Sequence, residues 1–308
     1  MKRFSSAVRL LLSVLVLVAA PLPLWACACG CGVFDVGVSK MMPTQPGGFV
    51  SVEYDFMNQN QNWSGNRKAS GDNNSDKDIR TDFFTGSVEY MLDRSWGYMV
   101  EAPVWARHFE TTDDNGVVGG FDHGAVGDIR VKGVYTGFSS DMSNGLTFGL
   151  KLPTGSFNTP DFDRDTQIGT GSTDLLLGGY HLGRILGLDS LSWFANGQWD
   201  EPVLTMGLYR PGAEVDASFG SYYEGWSAGS LKIAPLAQVV GSVRWRDQGL
   251  AADPTDSGYQ RVLLSPGLEV SRGAVRAYGD VEFPVYQFMN GNQLVAAELY
   301  KLSVGWSF

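Results

Sequence analysis

The sequence predicts an all-β chain: a transmembrane antiparallel β-barrel of about 12 strands, preceded by a signal peptide and a short cysteine-containing periplasmic segment. Three observations carry that expectation. The chain opens on a basic and then apolar leader, alternates apolar and polar residues in many segments from Gly47 onward, and closes on an aromatic residue of one such alternating face.

The leader comes first. Lys2, Arg3 and Arg9 flank the start of the apolar run "LLLSVLVLVAAPLPLWA". A spanning helix needs ~20 apolar residues, and Pro21 and Pro23 interrupt this run, so residues 1–28 read as an export signal with cleavage near 26–28. The leader holds three basic residues and no acidic one, and its loss moves the formal net charge from -10 to about -13. Nucleic acid is therefore excluded as an expected partner.

Residues 29–46 follow as a Cys-, Gly- and Pro-containing periplasmic segment, after which the barrel is expected over 47–308. Every cysteine of the chain lies in "ACACGCG", at Cys27, Cys29 and Cys31. Such alternate thiols have three readings. "LWAC" approximates a lipobox and would lipidate Cys27. Cleavage after Ala28 would instead leave Cys29 and Cys31 in an oxidising compartment as a strained, labile pair. Two or three thiolates could also bind a soft metal, Cu or Zn, although a tetrahedral zinc site would lack a ligand. The stretch "GVFDVGVSKMMPTQPGG" has no clear period and is expected either inside the lumen or against the periplasmic mouth; its Met41 and Met42 could extend a copper path, but flexible apolar filler is the simpler reading.

The strands are read from period-two alternation. "FVSVEYDFM" sets Val50, Val52, Tyr54 and Phe56 against Ser51, Glu53 and Asp55. "TGSVEYML" sets Val88, Tyr90 and Leu92 against Ser87 and Glu89, and "NGLTFGLKLP" sets Leu146, Phe148, Leu150 and Leu152 against Thr147 and Lys151. "DIRVKGVY" places Ile129, Val131 and Tyr135 opposite Arg130, Lys132 and Val134. Similar segments recur down to "ELYKLSVGWSF", where Tyr300, Leu302, Val304, Trp306 and Phe308 share one face. That last face is the expected assembly signal read by the barrel-insertion machinery. A soluble edge strand would be blunted by charge or proline.

Short links at Asp93, "FSSDMS", "RILGLD", "SAGS" and Arg272 alternate with longer polar ones around 57–80, 106–124, 153–171, 201–211, 246–257 and 287–295. Short periplasmic turns and long extracellular loops are the usual asymmetry, which places both termini in the periplasm. Trp96, Trp226, Trp306 and Phe308 then fall at one interface, and Trp63, Trp105 and Trp199 at the other, as aromatic girdles.

At Gly127-Asp128, at Lys151 to Gly155 and at Gly171 to Asp174, the chain resembles the outer-membrane transporters named after the meta-pathway of phenol degradation. In that family a Gly-Asp-initiated strand precedes one ending Lys-Leu-Pro-Thr-Gly, and a loop leads into Gly-Ser-x-Asp. The resemblance implies a barrel akin to channels for hydrophobic compounds.

The wet faces supply the candidate lumen: Glu53, Asp55, Glu89, Glu101, Asp128, Arg130, Lys132, Lys151, Arg276, Asp280, Glu282 and Lys301, with Asn196, Gln198, Glu214, Asp216, Arg244 and Tyr278 beside them. Charges of both signs either fill a narrow lumen as a paired network or form a selective polar conduit. Asp161, Asp163 and Asp165 have the spacing of a calcium loop, but Thr166 and Thr170 stand where Gly and Glu are required, so the segment reads as a solvated loop. His108, His123 and His181 lack a serine two residues on, as an outer-membrane phospholipase would need, and no enzyme is expected.

The expected function is passive passage or uptake of small solutes, hydrophobic or aromatic by resemblance, across a Gram-negative outer membrane, with its lipid as surroundings. The alternative is a closed structural or metal-binding barrel acting through its cysteines.

Overall fold

The computed structural model describes residues 32–37, 42–112 and 115–308. The leader, Met41 and all of Cys27, Cys29 and Cys31 lie outside the described residues.

The strands are β1 (Gly47–Gly65), β2 (Arg67–Lys68), β3 (Asp76–Met91), β4 (Trp96–Thr112), β5 (Val118–Val126), β6 (Arg130–Tyr135) and β7 (Asn144–Lys151). They continue as β8 (Ser172–Ile185), β9 (Leu188–Thr205), β10 (Glu214–Tyr223), β11 (Trp226–Ala228), β12 (Leu231–Arg244), β13 (Tyr259–Arg272) and β14 (Val275–Ser307). Among the described residues the helical pieces are two single 3-10 turns, Gly32–Asp35 and Gly71–Asn73.

Eleven of these strands close into one antiparallel ring, with β2, β5 and β11 as additions to its rim or wall. The last ring strand, β14, is 33 residues long and pairs with β13 through its first half and with β1 through its second. It is folded back on itself. Gly291 sits at φ +60, Ser307 N–H donates to Ala274 O at 2.9 Å, and a Cβ on Gly279 would lie 2.8 Å from Leu302. The wall is thus crossed twelve times, an even number that brings both ends of the barrel to one rim, where Gly48 and Phe308 exchange backbone hydrogen bonds.

Closure satisfies the ladder hydrogen bonds without leaving an edge in the hydrocarbon. The outward faces carry Val52, Phe84, Val131, Phe148, Leu177, Val239, Leu264 and Phe283, all exposed. Such an apolar belt is unstable in water and matched to lipid. Tyr300, Leu302, Val304, Trp306 and Phe308 share it.

Two expectations need correction. Most of the polar stretches read as long loops are strand: β1 runs to Gly65, β4 to Thr112 and β9 to Thr205, and 287–295 is a tight hairpin. Beyond the apolar belt the outward face of a strand is polar as well, so polar composition there does not signal a loop. Trp63 and Trp105 do not join a girdle. Trp105 shares parity with Glu101 and Arg107 and packs inward on Phe83, with ring centroids 4.7 Å apart, while Trp63 packs on buried Tyr259, Met289 and Val295.

Candidate functional site

Inside the ring, the register sets charges side by side. Glu101 stands opposite Arg130, Arg130 opposite Lys151, and Lys151 opposite Asp174, one row across β4, β6, β7 and β8. Lys132 Nζ pairs with Glu101 at 2.8 Å, and Lys151 contacts Asp174 and, at 3.5 Å, Asp200. Across the lumen, Asp280 Oδ2 accepts from Tyr278 at 2.5 Å, Ser265 at 2.6 Å and Gln238 at 2.9 Å. Glu53, Asp55, Glu89, Asp128, Glu282 and Lys301 are also buried on the inner face. Arg276 lies at the rim that holds the termini, 3.8 Å from Glu269 and over the Phe49 ring. Buried charges persist when opposite charges and hydrogen bonds surround them, which is the arrangement of this wall.

The middle of the lumen is occupied by residues 32–37, a plug. Its Val33, Phe34 and Val36 side chains sink among Met57, Phe83, Val240, Leu263 and Leu299, an apolar ring on the inner wall. Polar groups hold the backbone. Lys301 Nζ donates to Phe34 O at 3.0 Å and Val36 O at 3.4 Å. The Asn196 carboxamide accepts from Gly37 N–H at 3.1 Å and donates to Gly37 O at 2.8 Å, so it binds the backbone as a neighbouring strand would. Asp35 forms an ion pair with Arg130 and accepts from Gln198 at 3.4 Å. Gly37 is required there: it sits at φ +107, and a Cβ would lie 3.1 Å from Gln238.

A second obstruction enters from the opposite end. Residues 152–171 fold inward where β6 and β7 stop, and Asp128 ties the base of this loop together. Its Oδ1 accepts from Gly155 N–H at 2.9 Å, and its Oδ2 from Thr170 N–H at 2.8 Å and Thr170 Oγ1 at 2.6 Å. Gly155 and Gly169 approach so closely that a Cβ on Gly169 would lie 2.4 Å from Gly155. Thus Gly127-Asp128, the Lys151 to Gly155 stretch and the Gly171 to Asp174 stretch form one spatial unit, in which Lys151 meets Asp174. Further in, Arg107 donates to Thr166 O at 2.5 Å and Gln167 O at 3.2 Å, and Arg164 lies 4.3 Å over the Tyr209 ring.

The solvated reading of this segment holds for Asp161 and Asp163, which are exposed, and is corrected for the residues after them, which turn inward. Ile168 and Gln167 are buried, and Asp165 lines the cavity beneath the loop. Among the described residues no cluster of three or more acidic, His or Cys side chains is placed to hold a metal. Burial pushes the Asp165 carboxyl up to about 6, with Asp247 and Asp163 adding repulsion. A carboxyl raised on docking favours the docked state most below its ordinary value, and this contribution is lost as pH rises through about 6. Hydrogen exchange of residues 152–171, corrected for intrinsic rates, should be slower at about pH 4 than at about pH 7.5. Asp165→Asn should remove most of that difference.

The three histidines have structural partners: His108 bridges Asp122 at 2.8 Å and Glu110 at 3.3 Å, His123 meets Thr159 at 3.0 Å, and His181 meets Asn144 at 2.7 Å. Arg107, Asp200 and Asp35 escaped the sequence reading, and Asp174 entered it only through the resemblance. The parity of Arg107 with Glu101 would have found it, whereas Asp35 belongs to a segment with no period.

No family model matches the chain, and no curated protein is similar in sequence. Among solved structures, the COG4313 outer membrane channel from Pseudomonas putida F1 superposes with a TM-score of 0.61 at 12% identity, over 89% of this chain and 99% of that one. The fold is that of an outer-membrane β-barrel. The β domain of the Bordetella autotransporter BrkA follows with a TM-score of 0.53 at 10% identity, over 85% of this chain and 100% of that one.

Within this barrel the free space is a series of cavities. A vestibule lined by Asp76, Asp163, Asp253 and Asp256 opens at the loop end. It shares Arg164, Asp165 and Tyr209 with a cavity beneath the loop, which shares Asp35, Arg130 and Trp105 with a third beside the plug. A last one opens at the rim of the termini, around Met42, Glu89 and Arg276. The plug and the inward loop are the partitions between them.

Proposed function

We propose that the protein is an outer-membrane channel for small solutes whose lumen is shut at rest by residues 32–37. The carrying observation is the way the plug is held. Side chains bind it, and its described residues pair with no strand, so it can leave without breaking the wall. The series of cavities supports a solute path along the barrel axis, from the acidic vestibule to the rim with the short turns. We read that rim as periplasmic, because its turns are short and the export signal leads into it.

Aromatic or otherwise apolar solutes suit the path best. Beside the plug, Phe34, Phe83, Pro103, Trp105 and Ile168 present apolar surface between the charged rows. The resemblance at Gly127-Asp128 and its companion stretches supports the same class. The metal-binding alternative rests on Cys27, Cys29 and Cys31, which lie outside the described residues.

Planar-bilayer recordings test the reading. The full chain should show little conductance, and a chain lacking residues 32–46 should show large, stable channels. Equal, negligible conductance in both would overturn it.

A further inference from the structure

We propose that the cavity between the plug and the inward loop binds an amphipathic monocarboxylate, an aromatic or aryl-alkyl acid, whose carboxylate replaces Asp35 at Arg130. The inference rests on the plugged-channel reading and names the solute class that would loosen the plug.

The cavity encloses about 630 Å³ of non-atom space, part of it open to the lumen. Phe34 and Asp35 of the plug face it from one side and Ile168 and Thr170 of the loop from another. Its apolar wall is aromatic: the Phe83 ring lies 5.5 Å from Phe34 and stands edge-on to Trp105 at 4.7 Å. The ion pair between Arg130 and Asp35 borders both this cavity and the one beneath the loop. The Arg130 side chain is 20% exposed and that of Asp35 9%, so a solute in either cavity reaches the guanidinium.

The two halves of the pair differ in attachment. Arg130 belongs to β6, held in the wall by β4 and β7. Asp35 belongs to the plug, which side chains hold. The exchangeable half is the carboxylate, and a competitor must offer what Phe34 and Asp35 offer together, a ring beside a carboxylate. One carboxylate for another leaves the local charge unchanged and keeps the planar fit that guanidinium favours. A dianion would add charge beside Glu53, Asp55, Glu101 and Asp128, which also line the cavity. An amine would have to drive a wall-fixed guanidinium away.

Calorimetric titration of the detergent-solubilised full chain with phenylpropanoate and with its neutral amide tests this, with folding of each variant checked by circular dichroism. Wild type should prefer the acid by about tenfold. Asp35→Asn, which removes the internal competitor, should bind the acid about tenfold tighter than wild type, and Arg130→Gln should bind acid and amide alike. Equal affinity of wild type for acid and amide, unchanged acid affinity in Asp35→Asn, or tighter binding of phenylpropylamine would overturn the inference. Failure of the channel reading is separate: it appears as absent conductance in the truncated chain, whatever the titration shows.

Discussion

Lys301→Met should open the barrel without dismantling it. Lys301 is 1% exposed and spends its ammonium on two plug carbonyls, Phe34 O and Val36 O. Its charge also sits beside Glu282, which is fully buried and has Asp280 and Glu53 as further acidic neighbours. Methionine keeps the length of the side chain and removes both functions. Breaking a buried ionic cluster at one partner typically costs roughly 3–5 kcal/mol, here spread over a barrel whose backbone ladders stay intact. The plug loses two hydrogen bonds and faces carboxylates without their cation. Conductance of the variant should approach that of the chain lacking residues 32–46, and its melting temperature should fall. A folded variant that stays as closed as wild type would show that Asn196 and the apolar ring suffice to hold the plug.

Asp128→Ala should release the inward loop while leaving the plug seated. Three hydrogen bonds from Gly155 and Thr170 converge on this one carboxylate. Each bond to a charged acceptor is worth about 1.5–3 kcal/mol, and the backbone N–H groups of both loop ends would be left without their acceptor. Limited proteolysis should then cut within residues 152–171 at a rate at least about tenfold above wild type, since losing even one such bond shifts the opening equilibrium that far. Asp128→Asn, which keeps one acceptor oxygen, should fall between. Wild-type protease resistance in the alanine variant would assign the docking to Arg107 and Arg164 instead.

Much of the barrel was legible because two solvents impose one period. Wherever lipid meets one face and the packed lumen the other, as at Val52 and Glu53 or Leu302 and Lys301, the sequence alternates and the alternation can be read. The signal fades where that contrast fades. Past the apolar belt the outward faces of β1 and β3 turn polar, at Asn58, Asn60, Arg80 and Asp82, while Gln59 and Ile79 stay buried on the inner face, and their Asn-, Asp- and Ser-rich ends look like loops. Trp105 was misplaced because an indole suits an interface and a lumen equally, and only its parity with Arg107 separates them. That the segment before Gly47 could enter the lumen was legible, but its seat was not: Asn196 follows Gly37 by 159 residues, and nothing local in "GVFDVG" specifies such a partner.

The position of Lys301 also fixes an order of events. Its strand follows the plug by 267 residues, and its inward side chain alternates with the outward Tyr300 and Leu302 on the span that zips against β1. The plug cannot be fastened until that span is in place. The strand that closes the wall thus also carries the Lys301 fastening of the plug, and a barrel left unzipped there lacks that fastening.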